Sequence, residues 1–237
     1  ENLDILLELR NLKTSWWINM KISKRLKSLA GLITLDDKVA DIGCDHALLD
    51  IYMVKNNITE KALIADVSEN ALENGIKNVK KYHLEDKITA KCGNGLDVIN
   101  NDIDTVIISG MGASTIIKIL SSSKLNQIKK LIIQSNNDHY LLRRFLTNKG
   151  FYIAHEAVIY DNGKYYINIM FQRGFKKYSK KELIYGPILI DSNKEYFNYL
   201  LKKQTGILEN VPKYRIFTRM KMRKKVFFLK RLGNTNV

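Results

Sequence analysis

The 237-residue sequence has no apolar run approaching the ~18–20 residues of a membrane span, so no spanning segment is expected. Cysteine is scarce. Cys44 and Cys92 are the only two, too few for a disulfide framework and without metal-ligand spacing. No metal is therefore expected, and a reducing, cytoplasmic setting is the simplest inference. Internal repeats and low-complexity linkers are missing. So is a secretory pattern, because Glu1, Asp4 and Glu8 interrupt the first apolar residues. Position 1 is not Met, and Met20-Lys21-Ile22-Ser23 reads as an alternative start, with residues 1–19 an extension or leader. Acidic residues are absent after Glu209.

What is present is a globular composition, 45% hydrophobic and 27% charged, long enough for one well-buried α/β domain plus an appendage. The net charge of +15 is unevenly placed. Residues 1–170 carry 22 basic and 20 acidic residues, whereas residues 171–237 carry 17 and 4. A near-neutral body with a cationic tail points to a polyanion, the alternative being a solvated basic face.

Short apolar runs alternate with helix-like segments. Strands are expected over 38–42, 62–65, 87–91, 105–108 and 131–133, and helices over 47–55, 68–81, 113–120 and 140–148. This alternation implies a parallel sheet with helices on both faces. Right-handed crossovers then collect the loops after the strands on one edge, where open α/β sheets bind ligands. Two β-rich runs, 151–160 and 164–171, flank Asp161-Asn162-Gly163, a hairpin signal. A mostly parallel Rossmann-like sheet ending in an antiparallel hairpin is similar to the class I methyltransferase fold. Beyond about Phe175, Gly186-Pro187 breaks the chain. Helices over 191–208 and 211–231 are expected to form a C-terminal helical hairpin. Tyr196, Phe197, Leu200 and Leu201 would form the stripe of the first helix, and Ile216, Phe217, Met220, Phe227 and Phe228 that of the second, each covering the other. The expected domains are thus an extension (1–19), a cofactor domain (20–175) and a basic helical hairpin (176–237).

The unusual residues fall in the loops of one edge. Asp41-Ile42-Gly43-Cys44-Asp45-His46 leaves the first strand, with Gly43 allowing close backbone approach to a ligand. No G-x-G-x-x-G is present, so a pyrophosphate cradle is poorly supported. S-adenosylmethionine needs none, and Asp41 and Asp45 offer acceptors for its ammonium and hydroxyls. The alternative is a structural Asp-rich turn. Asp66, followed by Val67, lies 23 residues after Gly43, where a carboxylate accepts two hydrogen bonds from a ribose diol or simply favours a helix N-terminus. Gly93-Asn94-Gly95 offers amides and the Asn94 side chain to an adenine, or is a plain turn. Gly110 and Gly112 would face the transferred methyl and leave room for a flat base, with Met111 as packing. His46 beside Asp45 is the titratable residue of most interest. His83, His139 and His155 read as structural or exposed. Cys44 reads as a small turn residue rather than a nucleophile.

These residues together resemble the TrmK-type bacterial tRNA (adenine-N1)-methyltransferases, which act on adenine at position 22. The resemblance begins at Ser23-Lys24-Arg25-Leu26. It continues through Ala40–Ala47, where the family usually reads A-D-I-G-S-D-H-A, and Gly93–Leu96, usually G-D-G-L. It extends to Gly110–Ala113, usually G-M-G-G, Gln134-Ser135-Asn136, for Q-P-N, and Tyr185-Gly186-Pro187, and it covers about residues 20–210. Cys44, Asn94, Ala113 and Ser135 depart from the pattern. Asn94 loses a charge but keeps an acceptor, and Ser135 removes a stiffening proline.

The resemblance implies S-adenosyl-L-methionine as cofactor, tRNA as partner, and direct methyl transfer to adenine N1. In-line positioning would supply most of the rate. The product ring is cationic, so an acceptor that takes the N6 proton or balances charge would help. Asp45 is the first candidate, with His46 and Asn136 as alternatives. The expected cofactor contacts are Asp41, Gly43, Asp45, Asp66, Val67, Asn94, Gly95, Gly110, Met111 and Gly112. Tyr82, Tyr140 and Phe145 are candidates for stacking on an exposed or flipped base. Lys24, Arg25, Lys27, Lys213, Arg215, Arg219, Arg223 and Lys224 are expected to hold RNA phosphates. A monomer is the expected state. The alternatives are a methyltransferase for another RNA or a small molecule, and an RNA-binding protein without catalysis.

Overall fold

The computed structural model describes residues 20–233; the expected extension over residues 1–19 lies outside the described residues. Strands β1 (Val39–Ile42), β2 (Ala62–Asp66), β3 (Ile88–Cys92), β4 (Thr105–Met111) and β5 (Lys130–Ser135) are parallel, and β6 (Phe151–Asp161) and β7 (Lys164–Arg173) complete one seven-stranded sheet. Its order is β3-β2-β1-β4-β5-β7-β6, with β7 antiparallel to both β5 and β6. The order reverses between β1 and β4, so the crevice of this sheet lies at the C-terminal ends of those two strands.

Local sequence explains the elements. All four residues of β1 are buried, as expected of a strand covered on both faces. Helix α1 (Lys24–Ala30) starts at Ser23, whose hydroxyl accepts from Leu26 N–H. Helix α2 (Leu48–Lys55) follows β1 and α3 (Glu69–Lys81) follows β2. In α3 the Ser68 hydroxyl caps Ala71 N–H, and Leu72, Gly75 and Val79 turn inward at helical spacing. Helices α4 (Ala113–Leu120) and α5 (His139–Asn148) follow β4 and β5. The β6–β7 turn is the expected two-residue hairpin: Asn162 and Gly163 have φ of 48° and 78°, and Asp161 pairs with Lys164.

Side chains from the two sheet faces form separate cores. One unites Ala40, Ile42, Val106 and Ile133 with α4 and α5, and the other unites Val39, Ile107 and Ile132 with α1 and α2. Helix α6 (Lys180–Tyr185), the single turn α7 (Leu189–Ser192), α8 (Lys194–Asn210) and α9 (Ile216–Gly233) follow the sheet. A buried ion pair joins them to it. Arg143 Nε of α5 lies 2.6 Å from Glu156 Oε1 of β6, Arg143 Nη1 donates to Leu183 O, and Glu156 Oε2 accepts from Ile188 N–H. Gly186, at φ +94°, passes so close that a Cβ would lie 2.7 Å from Glu156 Oε2.

The mutual covering expected of the two terminal stripes is not what the structure shows. Phe197 is buried in the main core, and Tyr196, Leu200 and Leu201 pack against it. In α9 only Leu229, Leu232 and Gly233 are buried. Ile216, Phe217, Met220, Phe227 and Phe228 are exposed, Phe217 to 83%. Phe197 of α8 and Leu229 and Leu232 of α9 therefore share the core of the sheet, while most of the apolar face of α9 stands in solvent. Apolar periodicity identifies a helix face but not what covers it.

Candidate active site

The loop after β1 is held in an uncommon backbone conformation. Gly43, Asp45 and Ala47 have φ of 81°, 39° and 53°, and left-handed non-glycine residues persist only where surroundings enforce them. Gly43 N–H donates to Ala65 O at 2.7 Å, Ala47 N–H to Cys44 O at 2.8 Å, and Asn78 Nδ2 of α3 to His46 O at 3.0 Å. A Cβ on Gly43 would sit 2.0 Å from Met111 Cε, so the β1 loop and the end of β4 meet there. Strand β4 runs on through Ser109-Gly110-Met111, longer than the sequence predicts, with its pairing to β5 shifted between Ser109 and Met111. Gly110 has φ +81° and nothing within 4 Å of where its Cβ would be, leaving an open notch.

The other predicted cofactor residues line the same edge. Asp66 ends β2, its Oδ1 accepting from Ser68 N–H at 2.8 Å. Val67 beside it is 73% exposed, an apolar surface at a polar edge. Asn94 is exposed at the end of β3, next to buried Gly95 at φ +53°. Gly112 opens α4, and Asn137 supplies the cap from the neighbouring loop by accepting from Ala113 N–H at 3.0 Å.

Beneath this edge lies a polar seam that sequence reasoning largely missed. Asp41 alternates with Ala40 and Ile42 and so points to the face covered by α1 and α2. There it meets Asp50 of α2, which is fully buried. Burial, foremost, pushes Asp41 up to about 7, with Asp50 and Arg25 opposing and Asp66 adding to the rise. Asp50 is raised by burial and then by Asp41. Arg25, half-buried on α1, extends Nη1 to Gln134 Oε1 at 2.6 Å, and its guanidinium lies 5.4 Å from the Tyr166 ring centre. Asn168 Nδ2 of β7 donates to Arg25 O. The signal for Asp50 was present in sequence: it interrupts the apolar helix Leu48-Leu49-Asp50-Ile51-Tyr52-Met53-Val54.

The candidate proton acceptors differ in setting. Asp45 and His46 are exposed, with His46 Nε2 3.6 Å from Asp45 Oδ2. The Asn136 side chain is committed at both ends: Nδ2 donates to Gly110 O at 2.5 Å and Oδ1 accepts from Gln134 Nε2 at 3.1 Å. Cys44 is buried, and desolvation with Asp41, Asp50 and Asp66 nearby drives its thiol far upward, making it unreactive. His139 is pushed down to about 4 by burial and then by Arg143, and its Nε2 lies 3.1 Å from Ser135 O, a structural role. Of the stacking candidates, Tyr140 sits in the first turn of α5 at this edge. Tyr82 closes the C-terminus of α3 under Lys55 Nζ, at the opposite edge of the sheet, and Phe145 packs on the main core.

The cationic candidates fall into two groups. Lys24 and Lys27 are exposed on α1, beside the hairpin tip where Asp161 Oδ2 accepts from Arg25 N–H at 3.1 Å. Lys213, Arg215, Arg223 and Lys224 are exposed on the terminal hairpin. Arg219 is half-buried, its guanidinium donating to Leu208 O and Val211 O and closing the C-terminus of α8. Among the described residues no cluster of His, Cys, Asp and Glu could hold a metal ion, and no helix is long and apolar enough to cross a membrane.

Known proteins share this fold. A family profile described as a methyltransferase domain matches residues 22–170. The tRNA (adenine(22)-N(1))-methyltransferase of Bacillus subtilis is 29% identical over 200 residues, 81% of this chain and 83% of its own. TrmK of M. capricolum, solved with the cofactor product S-adenosyl-homocysteine, aligns with a TM-score of 0.79 at 29% identity, over 90% of this chain and 98% of that one. A Streptococcus pneumoniae protein solved with S-adenosyl-L-methionine aligns with a TM-score of 0.79 at 29% identity, over 90% of this chain and 100% of that one.

Proposed function

The chain belongs to the methyltransferase-domain family and, within it, to the TrmK type, and from that membership we propose that it methylates N1 of the adenine at position 22 of tRNA. The observation that carries the reading is the meeting of the Asp41–Ala47 loop with the open Gly110 notch at one sheet edge. S-adenosyl-L-methionine is the implied cofactor, and the residues fit it: Asp41 Oδ1 is buried without a partner, Gly43 leaves a cradle that a Cβ would fill, and Val67 offers an apolar face. When bound, it supplies an electrophilic methyl group on a sulfonium.

In this reading Asp41, Gly43 and Asp45 hold the methionine end, Asp66 and Val67 the ribose and one face of the adenine, and Asn94 and Gly95 its edge. Gly110, Met111 and Gly112 border the transferred methyl and leave room for a planar base. Asp45 balances the charge of the product ring or accepts its N6 proton, with His46 as the alternative. Asn136 acts by fixing the Gly110 carbonyl, since both ends of its amide are already engaged. The cofactor domain is residues 20–175 and the RNA-holding unit residues 176–237. Lys24 and Lys27 on the body, and Lys213, Arg215, Arg223 and Lys224 on the arm, bind tRNA phosphates. Arg25 and Arg219 serve the structure that presents them. The protein is a soluble monomer in this account. Methyl transfer from labelled cofactor to unmodified tRNA, with rRNA as control, tests it: label in tRNA supports the reading and label confined to rRNA defeats it.

A further inference from the structure

The seam behind the cofactor loop holds more carboxylate than its surroundings balance. Asp41 is 4% exposed and Asp50 0%. Neither Asp50 oxygen, nor Asp41 Oδ1, has a hydrogen-bond donor from another group. The charged and titratable groups facing the pair are Arg25 from α1, Cys44 from the loop and Asp66 from the end of β2. Arg25 is the single cation among them, and its Nη1 is directed to Gln134. Cys44 carries no charge and Asp66 adds a negative one. Two ionised carboxyls cannot share such a site, whereas one proton between them turns one into a donor to the other.

We propose that Asp50 is the proton-holding partner of Asp41: before the cofactor binds, the two carboxyls share one proton, and the arriving cation discharges it to solvent. The inference rests on the S-adenosylmethionine reading of the site. The methionine end carries an ammonium and a sulfonium, both of which favour the doubly ionised pair. Asp50 faces Asp41 and has no exposed surface, so it is a positioning residue, setting the charge that Asp41 presents. The upward shift of both carboxyls by burial is consistent with the shared proton. It also gives a buried Asp in the first turn of α2 a purpose that packing alone does not supply.

Titration calorimetry of S-adenosyl-L-methionine into the full chain at pH 6.5, in phosphate and in imidazole buffers, tests the proposal. The binding heat of the wild-type protein should differ between buffers in proportion to their protonation enthalpies, with release approaching roughly one proton per site. Asp50→Asn, isosteric and a donor to Asp41, should still bind and release almost none. Equal wild-type heats in both buffers, or undiminished release by Asp50→Asn, would overturn the shared proton while leaving cofactor binding intact. No binding in either buffer would instead overturn the cofactor reading, and this inference with it.

Discussion

Under the proposed function, Gly43 is the residue that ties the fold to the reaction. A side chain there meets Met111 at 2.0 Å and must adopt φ +81°, which costs a non-glycine residue about 1–2 kcal/mol. Gly43→Ala should therefore weaken cofactor binding at least tenfold while lowering the melting temperature only modestly, as calorimetry and thermal denaturation would show. The Arg143–Glu156 pair is a residue-scale feature of another kind, fully buried and bonded to the chain beside Gly186. Glu156→Ala leaves an unpaired buried guanidinium and should destabilise the protein by roughly 3–5 kcal/mol in denaturant titration. The Asp41–Asp50 pair predicts a pH dependence. A carboxyl raised in the folded state binds its proton more tightly there than when unfolded, so its stabilising effect is full at low pH and is lost as pH rises through the folded value. His139, lowered to about 4, acts oppositely between that value and its ordinary 6.5. The pair's loss runs from the ordinary carboxylate range up to about 7 and overlaps the His139 gain, so in a His139→Gln background the cofactor-free protein should lose thermal stability as pH rises from about 4 to about 7. Asp50→Asn should flatten that slope. The individual acids of the edge were legible because they stand where apolar runs end. The pairings of Asp41 with Asp50, and of Arg143 with Glu156, were not. Each joins a strand to the face of a helix, a relation that only the packing of the sheet creates.

Among the elements, the central parallel strands were the most legible, because burial on both faces demands largely apolar runs. The hairpin was equally so, since Asn162-Gly163 specifies its turn. The terminal helices were read less well. Their apolar periodicity was real, but α8 spends its stripe on the sheet core and α9 leaves most of its own in solvent. That arrangement changes how the basic arm should be tested. Deleting Lys213–Arg231 would also remove Leu229, which is buried in the main core, so lost RNA affinity could reflect lost folding. Reversing charge at exposed Arg223 and Lys224 with glutamate avoids this. The double variant should bind tRNA at least tenfold more weakly, with a shallower dependence on salt and unchanged cofactor affinity, measured by filter binding across a salt series. A matching loss of cofactor affinity would show that the arm shapes the site rather than holding RNA.

For the whole molecule, the charge division first seen in the sequence coincides with a structural one, between the sheet and the terminal helices. The near-neutral body places Asp41, Asp45 and Asp66 at the edge proposed for a cationic cofactor, and the terminal helices carry exposed cations. In the proposed reading, cofactor and tRNA meet surfaces of opposite sign on one chain. The measurement that bears most directly on the account is methyl transfer by the purified protein to two otherwise identical transcripts of one tRNA, with adenine or guanine at position 22, the modified base being mapped by mass spectrometry. The account predicts N1-methyladenosine at position 22 of the first and no transfer to the second. Equal methylation of both, or a methyl group at any other position, would contradict it.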